Sequence, residues 1–330
     1  MKKRSDIRDV AARAGVSLST VSRVLNDRTE NHMRPETREK VLKAIRDLNY
    51  APVKAAQTLR RLRTKMLGIV VPDITNLYFT LLARGIESIA FEQGFTTLIC
   101  DSNHQSERET QYLDMLRSED VEGIIFVPVG KADGNSLDAI LDQGIRVVLV
   151  DRRIPNLPTV EVDNYAASFG LAEYVLNLGY RKVAYIAGPE DVSTGEDRLA
   201  GLSDALASKG LTPVAICRGD FTFESGYSCA LSVLSETGVD AILAANDLMA
   251  FGALRAAEEL KKSVPKDLGV AGFDHVPHVP YATFMHPELT TVEVPIYELG
   301  QKAALLLIDE KDESIKLPTK LIRGGTCREQ

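Results

Sequence analysis

The feature that most constrains the fold is a regular alternation of short apolar segments with helical segments from Met66 onward. The apolar segments fall into two groups, with LGIVV, TTLIC, GIIFV and RVVLV in the first and KVAYIAG, PVAICR, AILAA and GVAGF in the second. Strands that alternate with helices are typical of parallel sheets covered by helices on both faces. Residues 66–330 are therefore predicted to form an α/β body of two similar lobes.

Polar and aromatic side chains follow these predicted strands. In parallel sheets of this kind, ligands bind beyond the carboxyl ends of the strands. Carboxylate, amide and guanidinium groups pair with neighbouring hydroxyls, and aromatic rings pack against the C–H face of a sugar. The pattern predicts a pocket for a polyhydroxylated ligand, while purines would use similar groups. The segments concerned are Asp73 to Phe79, Asp101-Ser102, Asp151-Arg152, Thr194 to Arg198 near a helix start, Asn246-Asp247 and Phe273-Asp274.

The N-terminal segment has a different pattern, in which apolar residues recur at helical spacing. A first helix is predicted from Ile7 and ends at Gly15, and Ser17 is placed to cap a second helix. A third helix is predicted from Pro35 to Leu48, with the proline in its first turn. Three short helices with a glycine turn between the first two predict a small helix-turn-helix domain.

The second predicted helix has one apolar and one polar face. Its valines and Leu25 can pack on the first helix, which leaves small polar side chains and Arg23 on the outer face. Such a face fits the major groove of DNA, where an arginine donates paired hydrogen bonds to guanine O6 and N7. A helical hairpin that binds protein is the alternative.

Charge is distributed very unevenly along the chain. Up to Lys65 there are 17 basic and 7 acidic residues, whereas the remainder has 22 basic and 39 acidic residues and the whole chain has a net charge of −7. A basic N-terminal part is typical of a domain that binds a polyanion, and an acidic body disfavours such contact. The charge pattern therefore supports DNA as the partner of the N-terminal helices.

Sequence motifs of enzymes are absent from the chain. The segment after the first strand, LGIVVPDITN, lacks G-x-G-x-x-G, and no G-x-x-x-x-G-K-[ST] or G-x-S-x-G occurs. No nucleophile beside a base can be nominated. We therefore predict a protein that is not an enzyme and has no catalytic residues and no cofactor.

The cysteines and histidines give no metal-binding pattern. Cys100, Cys217, Cys229 and Cys327 are far apart and form no C-x-x-C pair, and no H-E-x-x-H occurs. We therefore predict buried free thiols, no disulfide framework and no metal. The segment HVPHVPYATFMHP is predicted to be a rigid rim of the pocket because its Val-Pro steps restrict the backbone.

The chain has no stretch long and apolar enough for a membrane span, and its start, MKKRSDIRDV, lacks the apolar run of a secretory signal. We expect a cytoplasmic protein, associated with the nucleoid when it is bound to DNA.

Both the N-terminal segment and the body of the sequence resemble a known family. The runs DVAARAGVSLSTVSRVLN and ETREKVLKAIRDLNYAP look like the DNA-binding head of the LacI/GalR family of bacterial repressors, and VPDITNLYF, ANDLMAFGAL and GVAGFDHV resemble landmarks of its body. The resemblance implies an all-α helix-turn-helix domain at 1–50, a hinge helix or linker at 51–65, and an effector-binding and dimerisation domain at 66–330. That domain would be a periplasmic-binding-protein-like body of two Rossmann-like lobes.

The resemblance also implies residues that contact DNA. Base-reading positions of the family match Leu18, Ser19 and Arg23, and its phosphate contacts match Ser17, Thr20, Ser22 and Asn26. In the hinge, Ala56, Gln57, Leu59 and Arg60 match the family motif. The hinge leucine is expected to wedge between base steps in the minor groove and bend the duplex; a solvated linker is the alternative.

Effector-binding positions carried over from the family are Asn76, Tyr78, Phe79, Asp101, Asp151, Arg152, Asp163, Thr194, Arg198, Phe221, Asn246 and Asp274. Several have structural alternatives, because Asp151 and Asp163 could cap turns, Tyr78 and Phe79 could be core residues, and Arg198 could form a structural salt bridge. Asp247 is expected to be a helix N-cap, a role that Asn246 could share.

The predicted function is a sequence-specific transcriptional regulator, in the family usually a repressor. We expect a homodimer on a near-palindromic operator, because twofold symmetry of the protein matches two half-sites. A small-molecule effector, a sugar or sugar derivative, would control operator affinity allosterically. The alternatives are a regulator that responds to a purine or nucleoside and a sugar-binding protein without a regulatory role.

Overall fold

The computed structural model describes residues 7–25, 35–48, 64–130, 134–236, 238–276 and 288–328 of the chain. The chain divides into two compact units, Met1–Arg63 and Thr64–Gln330. Several predictions fall outside the described residues: the DNA contacts at Asn26, Ala56, Gln57, Leu59 and Arg60, the hinge up to residue 63, and most of the predicted pocket rim.

The N-terminal unit contains the three helices predicted for it. They are α1 (Ile7–Ala14), α2 (Leu18–Leu25) and α3 (Pro35–Asp47). Gly15 has a φ of 67° and Val16 N–H donates to the Ala11 carbonyl, which is the left-handed end expected of a glycine after a helix. Buried valines and alanines from all three helices form the core of the unit: Val10, Ala11, Val21, Val24, Val41 and Ala44.

The first lobe of the C-terminal unit is built on a six-stranded sheet in the order β11-β5-β4-β3-β1-β2. Its paired strands run parallel. The strands are β1 (Met66–Val71), β2 (Thr96–Asp101), β3 (Gly123–Phe126), β4 (Arg146–Val150), β5 (Thr159–Val162) and β11 (Ile315–Leu317). Its helices are α4 (Leu77–Glu92), α5 (Ser106–Ser118), α6 (Gly134–Asp142) and α11 (Ile296–Ile308).

The second lobe is built on a four-stranded parallel sheet in the order β7-β6-β8-β9. The strands are β6 (Val183–Ala187), β7 (Ala215–Arg218), β8 (Ala241–Ala244) and β9 (Gly269–Ala271), and the helices are α7 (Asn164–Asn177), α8 (Ser193–Ala207), α9 (Phe223–Glu236) and α10 (Asp247–Glu259). A separate antiparallel pair joins β10 (Thr291–Glu293) to β12 (Lys320–Ile322). The predicted α/β fold is therefore confirmed.

Each apolar segment that predicted a strand overlaps one in the structure. The inner strands form because their Val, Ile and Leu residues are buried on both faces of a parallel sheet, whereas β2 and β7 lie at sheet edges and are partly exposed. No strand was predicted at β5, β10, β11 or β12, because Thr, Glu or Lys in these segments leaves at most two apolar residues in succession.

The prediction of free thiols is wrong for two of the four cysteines. Cys217 on β7 and Cys229 on α9 form a disulfide, with Cα atoms 5.6 Å apart. No sequence pattern predicts this pair, because α9 folds back along β7 and brings together residues 12 positions apart. Cys100 and Cys327 are free and buried, as predicted.

None of the described helices is long and apolar enough to cross a membrane.

Candidate functional site

A cavity of about 220 Å³ lies among the loops that follow the carboxyl ends of the strands in the C-terminal unit. Both lobes contribute to its wall. Ten of the twelve predicted effector positions line it: Asn76, Tyr78, Phe79, Asp151, Arg152, Thr194, Arg198, Phe221, Asn246 and Asp274.

On the first lobe, a buried tyrosine and a buried aspartate form one wall. The Tyr78 hydroxyl donates a hydrogen bond of 2.8 Å to Asp151 Oδ1. Burial, reinforced by the charge of Asp151, raises the pKa of Tyr78 well above its ordinary value. Asp151 follows β4 and has a φ of 67°, an uncommon conformation for a residue with a side chain. The tyrosine is therefore a neutral donor that holds this carboxylate in place.

Arg152 lies near two aromatic rings, Phe79 of the first lobe and Phe221 of the second. Its guanidinium carbon is 5.9 Å from the ring centres of both Phe79 and Phe221. Nη1 donates to the carbonyls of Pro128, at 2.5 Å, and Val129, at 3.1 Å. Nε is buried and has no hydrogen-bond partner among the described residues. The arginine is thus fixed by its neighbours, and its Nε has an ion-pair contact with Asp151 Oδ2 at 3.8 Å but no hydrogen bond among the described residues.

On the second lobe, Arg198 of α8 is almost fully buried. Its Nε donates to Asn164 Oδ1 at 2.8 Å and its Nη1 to the Ala245 carbonyl at 2.6 Å. The guanidinium carbon lies 3.8 Å from the centre of the Phe273 ring, and Nη1 is 3.2 Å from Asp274 Oδ1. The salt bridge considered as an alternative is therefore present, and both of its partners line the cavity.

Asp274 is a buried carboxylate in the loop after β9, with a φ of 109°. Its Oδ1 contacts Arg198 but has no partner with hydrogen-bond geometry among the described residues. Burial raises the pKa of Asp274 to about 8; Arg198 opposes this shift, and the nearby charges of Asp247 and Asp151 add to it. An acceptor that gains a donor here would be strongly stabilised.

The helix cap at the start of α10 differs from the prediction. Asn246 is the N-cap, because its Oδ1 accepts from Met249 N–H at 2.9 Å, while its Nδ2 donates to the Phe221 carbonyl. Asp247 is instead the first helical residue, and its Oδ1 accepts from Thr291 Oγ1 at 2.6 Å.

Asp247 is buried and also accepts hydrogen bonds from the backbone of His275 and Val276, while burial raises its pKa to about 7. Its own N–H donates to the Phe273 carbonyl. This carboxylate therefore connects α10 to the loop that carries Asp274.

Two predicted effector positions lie outside the cavity. Asp163 caps α7, since its Oδ1 accepts from Ala166 N–H at 2.9 Å, and this bond lowers its pKa. Asp101 accepts from Asn103 N–H at 2.9 Å within the turn after β2. Both carboxylates are used by their own turns, which is the alternative considered for Asp163.

Further side chains line the cavity that were not individually predicted from the sequence as effector-binding residues. Asp73 and Thr75 lie within the segment noted after β1, and Asp73 Oδ1 accepts from both the backbone and the hydroxyl of Thr75. His104 Nε2 is 3.8 Å from Asp73 Oδ2. The remaining lining residues are at the starts of α9 and α10: Thr222, Phe223, Glu224 and Leu248. The sequence feature that could have identified them as cavity residues is their position after the ends of strands.

The predicted DNA contacts that the structure describes lie on or beside α2. Leu18 is 46% exposed, so it is an apolar residue on the surface of the N-terminal unit. Ser17 and Thr20 contact each other through their hydroxyls at 2.9 Å, and Thr20 N–H donates to Ser17 Oγ. Ser17 therefore caps α2 as predicted. Ser19, Ser22 and Arg23 belong to α2, and their roles in DNA binding stay predictions.

Comparison with known families matches both units. Residues 6–53 match the bacterial regulatory proteins of the lacI family, and residues 64–324 match the periplasmic binding proteins and sugar binding domain of the LacI family. The chain belongs to the LacI family.

Curated relatives of this LacI-family protein match over almost the whole chain. The ribose operon repressor of Halalkalibacterium halodurans is 34% identical and covers 98% of this chain and 97% of its own length. The HTH-type transcriptional repressor CytR of Escherichia coli is 34% identical, over 92% of this chain and 89% of its own. The repressor PurR of Edwardsiella ictaluri is 32% identical, over 96% and 95%.

Solved structures agree with this assignment. The lac repressor dimer bound to operator and the anti-inducer ONPF has a TM-score of 0.78 at 27% identity, covering 99% of this chain and all of that chain. A LacI-family regulator from Enterococcus faecium with bound ribose has a TM-score of 0.72 at 27% identity, covering 80% and 99%. The chain is therefore a LacI-family transcriptional regulator with an effector-binding domain, and not an enzyme.

Proposed function

We propose that the cavity binds a sugar or sugar derivative as effector and that its occupancy controls affinity for operator DNA. The observation that carries the proposal is the pair of buried polar atoms in the cavity wall, Asp274 Oδ1 and Arg152 Nε, that have ion-pair contacts but no hydrogen-bond partner among the described residues. A sugar hydroxyl both donates and accepts, so vicinal hydroxyls can satisfy a carboxylate and a guanidinium together. The rings of Phe79 and Phe221 supply apolar surface for C–H groups.

Names among the relatives favour a pentose as the first probe. One curated relative is a ribose operon repressor, and one solved relative contains bound ribose. The cavity volume of about 220 Å³ is small for a ligand pocket. We therefore choose ribose as the reference compound and keep purines and nucleosides as the alternative class.

For the N-terminal unit, we propose that α2 enters the major groove. Arg23 and the neighbouring positions Leu18 and Ser19 would read bases, while Ser17, Thr20, Ser22 and Asn26 would contact phosphates. The basic charge of the first 65 residues supports such contact, because it neutralises backbone phosphates.

We further propose that residues 51–65 form a hinge that becomes ordered on DNA, with Leu59 as the wedge and Ala56, Gln57 and Arg60 around it. The segment is basic and poor in large apolar residues, so it cannot bury itself as an isolated helix. The working unit would be a homodimer on a near-palindromic operator, as in the lac repressor dimer bound to operator. We place it in the cytoplasm, at the nucleoid when it is bound to DNA.

A thermal-shift screen of the full chain tests the effector class. The compounds are pentoses, hexoses, their phosphates, nucleosides and purines, and a ligand that binds the folded state raises the melting temperature. A rise with ribose or another sugar, lost in Asp274→Asn and retained in Asp101→Asn, is the expected result. A rise with purines or nucleosides alone would replace the sugar proposal by the alternative.

A further inference from the structure

The disulfide between Cys217 and Cys229 encloses part of the cavity wall. Between the two cysteines lie the end of β7, the loop to α9 and the first turns of α9. Four residues of this enclosed segment line the cavity: Phe221, Thr222, Phe223 and Glu224. The only covalent link other than the backbone among the described residues therefore encloses a wall of the candidate site.

The enclosed segment contains a residue, Phe221, with an uncommon backbone conformation and close contacts. Phe221 has a φ of 68°, which is uncommon for an aromatic residue. Its ring lies so close to Gly188 that a Cβ there would be 2.4 Å from Phe221 Cζ. Its carbonyl accepts from Asn246 Nδ2 at 2.9 Å, and its ring faces Arg152. Small displacements of this segment would therefore reach both lobes of the cavity wall.

The strand that carries Cys217 is held mainly by its backbone pairing and by Arg218, whose Nη1 pairs with Glu196 at 2.9 Å and donates to the Gly188 carbonyl at 3.1 Å. Strand β7 lies at the edge of the second sheet and pairs with β6. Its side chains are half-buried or exposed, and Ile216 is 50% exposed. Cys229, in contrast, is buried on α9. The disulfide thus connects a partly exposed edge strand to a buried position on α9.

We propose that Cys217 and Cys229 form a reversible thiol–disulfide pair whose oxidation tightens the Phe221–Glu224 wall and so raises affinity for the effector. The inference rests on the proposed function, because it concerns the same cavity and a cytoplasmic location. Disulfides are uncommon in the cytoplasm, and those that occur there are usually transient, catalytic or redox-sensing. Fixing a loop in its bound conformation reduces the conformational entropy lost on binding.

The oxidation can be written with a low-molecular-weight disulfide, such as oxidised glutathione, as oxidant. The thiolate of Cys217, the more exposed partner, attacks one glutathione sulfur, and a glutathione thiolate leaves. The thiolate of Cys229 then attacks Cys217 Sγ, and the second glutathione thiolate leaves. Two protein thiols are oxidised, one glutathione disulfide is reduced, and the two thiol protons pass to the released glutathione thiolates.

Chemical trapping measures whether the pair forms. The full chain is equilibrated with dithiothreitol or with oxidised glutathione, unfolded, alkylated with iodoacetamide and mapped by mass spectrometry. All four cysteines of the reduced chain should be alkylated, and only Cys100 and Cys327 of the oxidised chain. Failure of Cys217 and Cys229 to pair under oxidised glutathione would overturn the proposal.

Two further measurements test the consequence. Hydrogen exchange of residues 219–228 should be faster in the reduced chain, and the Kd for ribose should be about three- to tenfold higher. Cys217→Ala and Cys229→Ala should behave as the reduced chain under both conditions, whereas Cys100→Ala should respond like the wild type. Equal exchange in the two redox states would overturn the proposal even if the disulfide forms.

The ribose measurement distinguishes failure of this inference from failure of the proposed function. If ribose binds equally well in both redox states, the inference fails and the proposed function stands. If no sugar binds, the proposed effector class fails, and with it the claim of raised affinity, whereas hydrogen exchange still decides whether the disulfide restrains the loop.

Discussion

Asp274 combines three properties at one position: burial, a left-handed backbone and an oxygen without a hydrogen-bond partner among the described residues. Arg198 lies 3.2 Å away and compensates for only part of the cost of burial, since the pKa of Asp274 is still raised to about 8. Such a carboxylate is unfavourable in the empty cavity and favourable once hydroxyl donors arrive. Residues of this kind are typical of binding sites.

Replacing Asp274 by Asn should abolish the effector response and should also reduce the pH dependence of the free energy of unfolding. A raised pKa means that the folded chain holds this proton more tightly than the unfolded chain, whose reference value is 3.8. The contribution to stability is therefore full below about pH 4 and is lost as the pH rises to about 8. Urea unfolding at pH 6 and pH 8.5 should show a smaller loss of stability in Asp274→Asn than in the wild type. An equal loss would contradict the assignment.

The same residue gives a pH dependence of binding. If the ionised carboxylate accepts from a sugar hydroxyl, binding favours loss of the proton, so affinity for ribose should increase between pH 6.5 and pH 8.5. Titration calorimetry in two buffers of different ionisation enthalpy would detect the released proton. Asp101→Asn, outside the cavity, should keep the wild-type profile.

Arg23 is the residue on which sequence-specific DNA binding is predicted to depend most. Arg23→Ala should cost about 1 to 3 kcal/mol of discrimination between operator and random DNA, because one bidentate base contact is lost. Arg13→Ala removes the same charge from a helix-end residue that pairs with Asp47 at 3.6 Å, and serves as the control. Anisotropy titrations that show the same loss for both variants on both DNAs would contradict base reading by Arg23.

At the scale of elements, most of the architecture could be predicted from the sequence. Long apolar strands and helices with clear caps, such as α2 after Ser17, are determined by nearby residues. Predictions of effector-binding residues were wrong where the path of a loop decides whether a side chain reaches the cavity. Asp163 and Asn246 both cap helices, yet only Asn246 lines the cavity. Spacing places a residue at a strand end but not the direction of its side chain.

The disulfide illustrates the same limit, because it depends on how α9 returns to β7. Nothing in a separation of 12 residues indicates that the two Cα atoms lie 5.6 Å apart. The role of Asp247 was similarly hidden, since it depends on Thr291, which is distant in sequence but donates to its carboxylate.

The hinge is the element whose contribution to DNA binding is predicted from sequence alone. Leu59→Ala should weaken operator binding by about tenfold and reduce the DNA bend, because the smaller side chain cannot hold base pairs apart. Leu59→Met keeps an apolar wedge of similar volume and should retain most of the bend. Energy transfer between dyes at the two ends of the duplex measures the bend. An unbent complex of the wild-type protein would contradict the wedge.

At the scale of the whole molecule, the basic head and the acidic body have opposite tendencies toward DNA. This division restricts nonspecific contact to the part of the chain that reads sequence. The effector cavity lies within the C-terminal unit, and the predicted base-reading residues lie in the N-terminal unit. Control of one by the other requires a coupling free energy between two separate sites.

The most direct test of this coupling is operator affinity measured with and without effector. A near-palindromic duplex selected from random DNA by the full chain is titrated, with fluorescence anisotropy as the readout, in the presence of the sugar found by thermal shift. Saturating sugar should change the Kd for this duplex by at least about tenfold. In Asp274→Asn, the Kd without sugar should be unchanged and the sugar response lost. An operator Kd that stays constant at sugar concentrations that saturate the cavity would contradict the account.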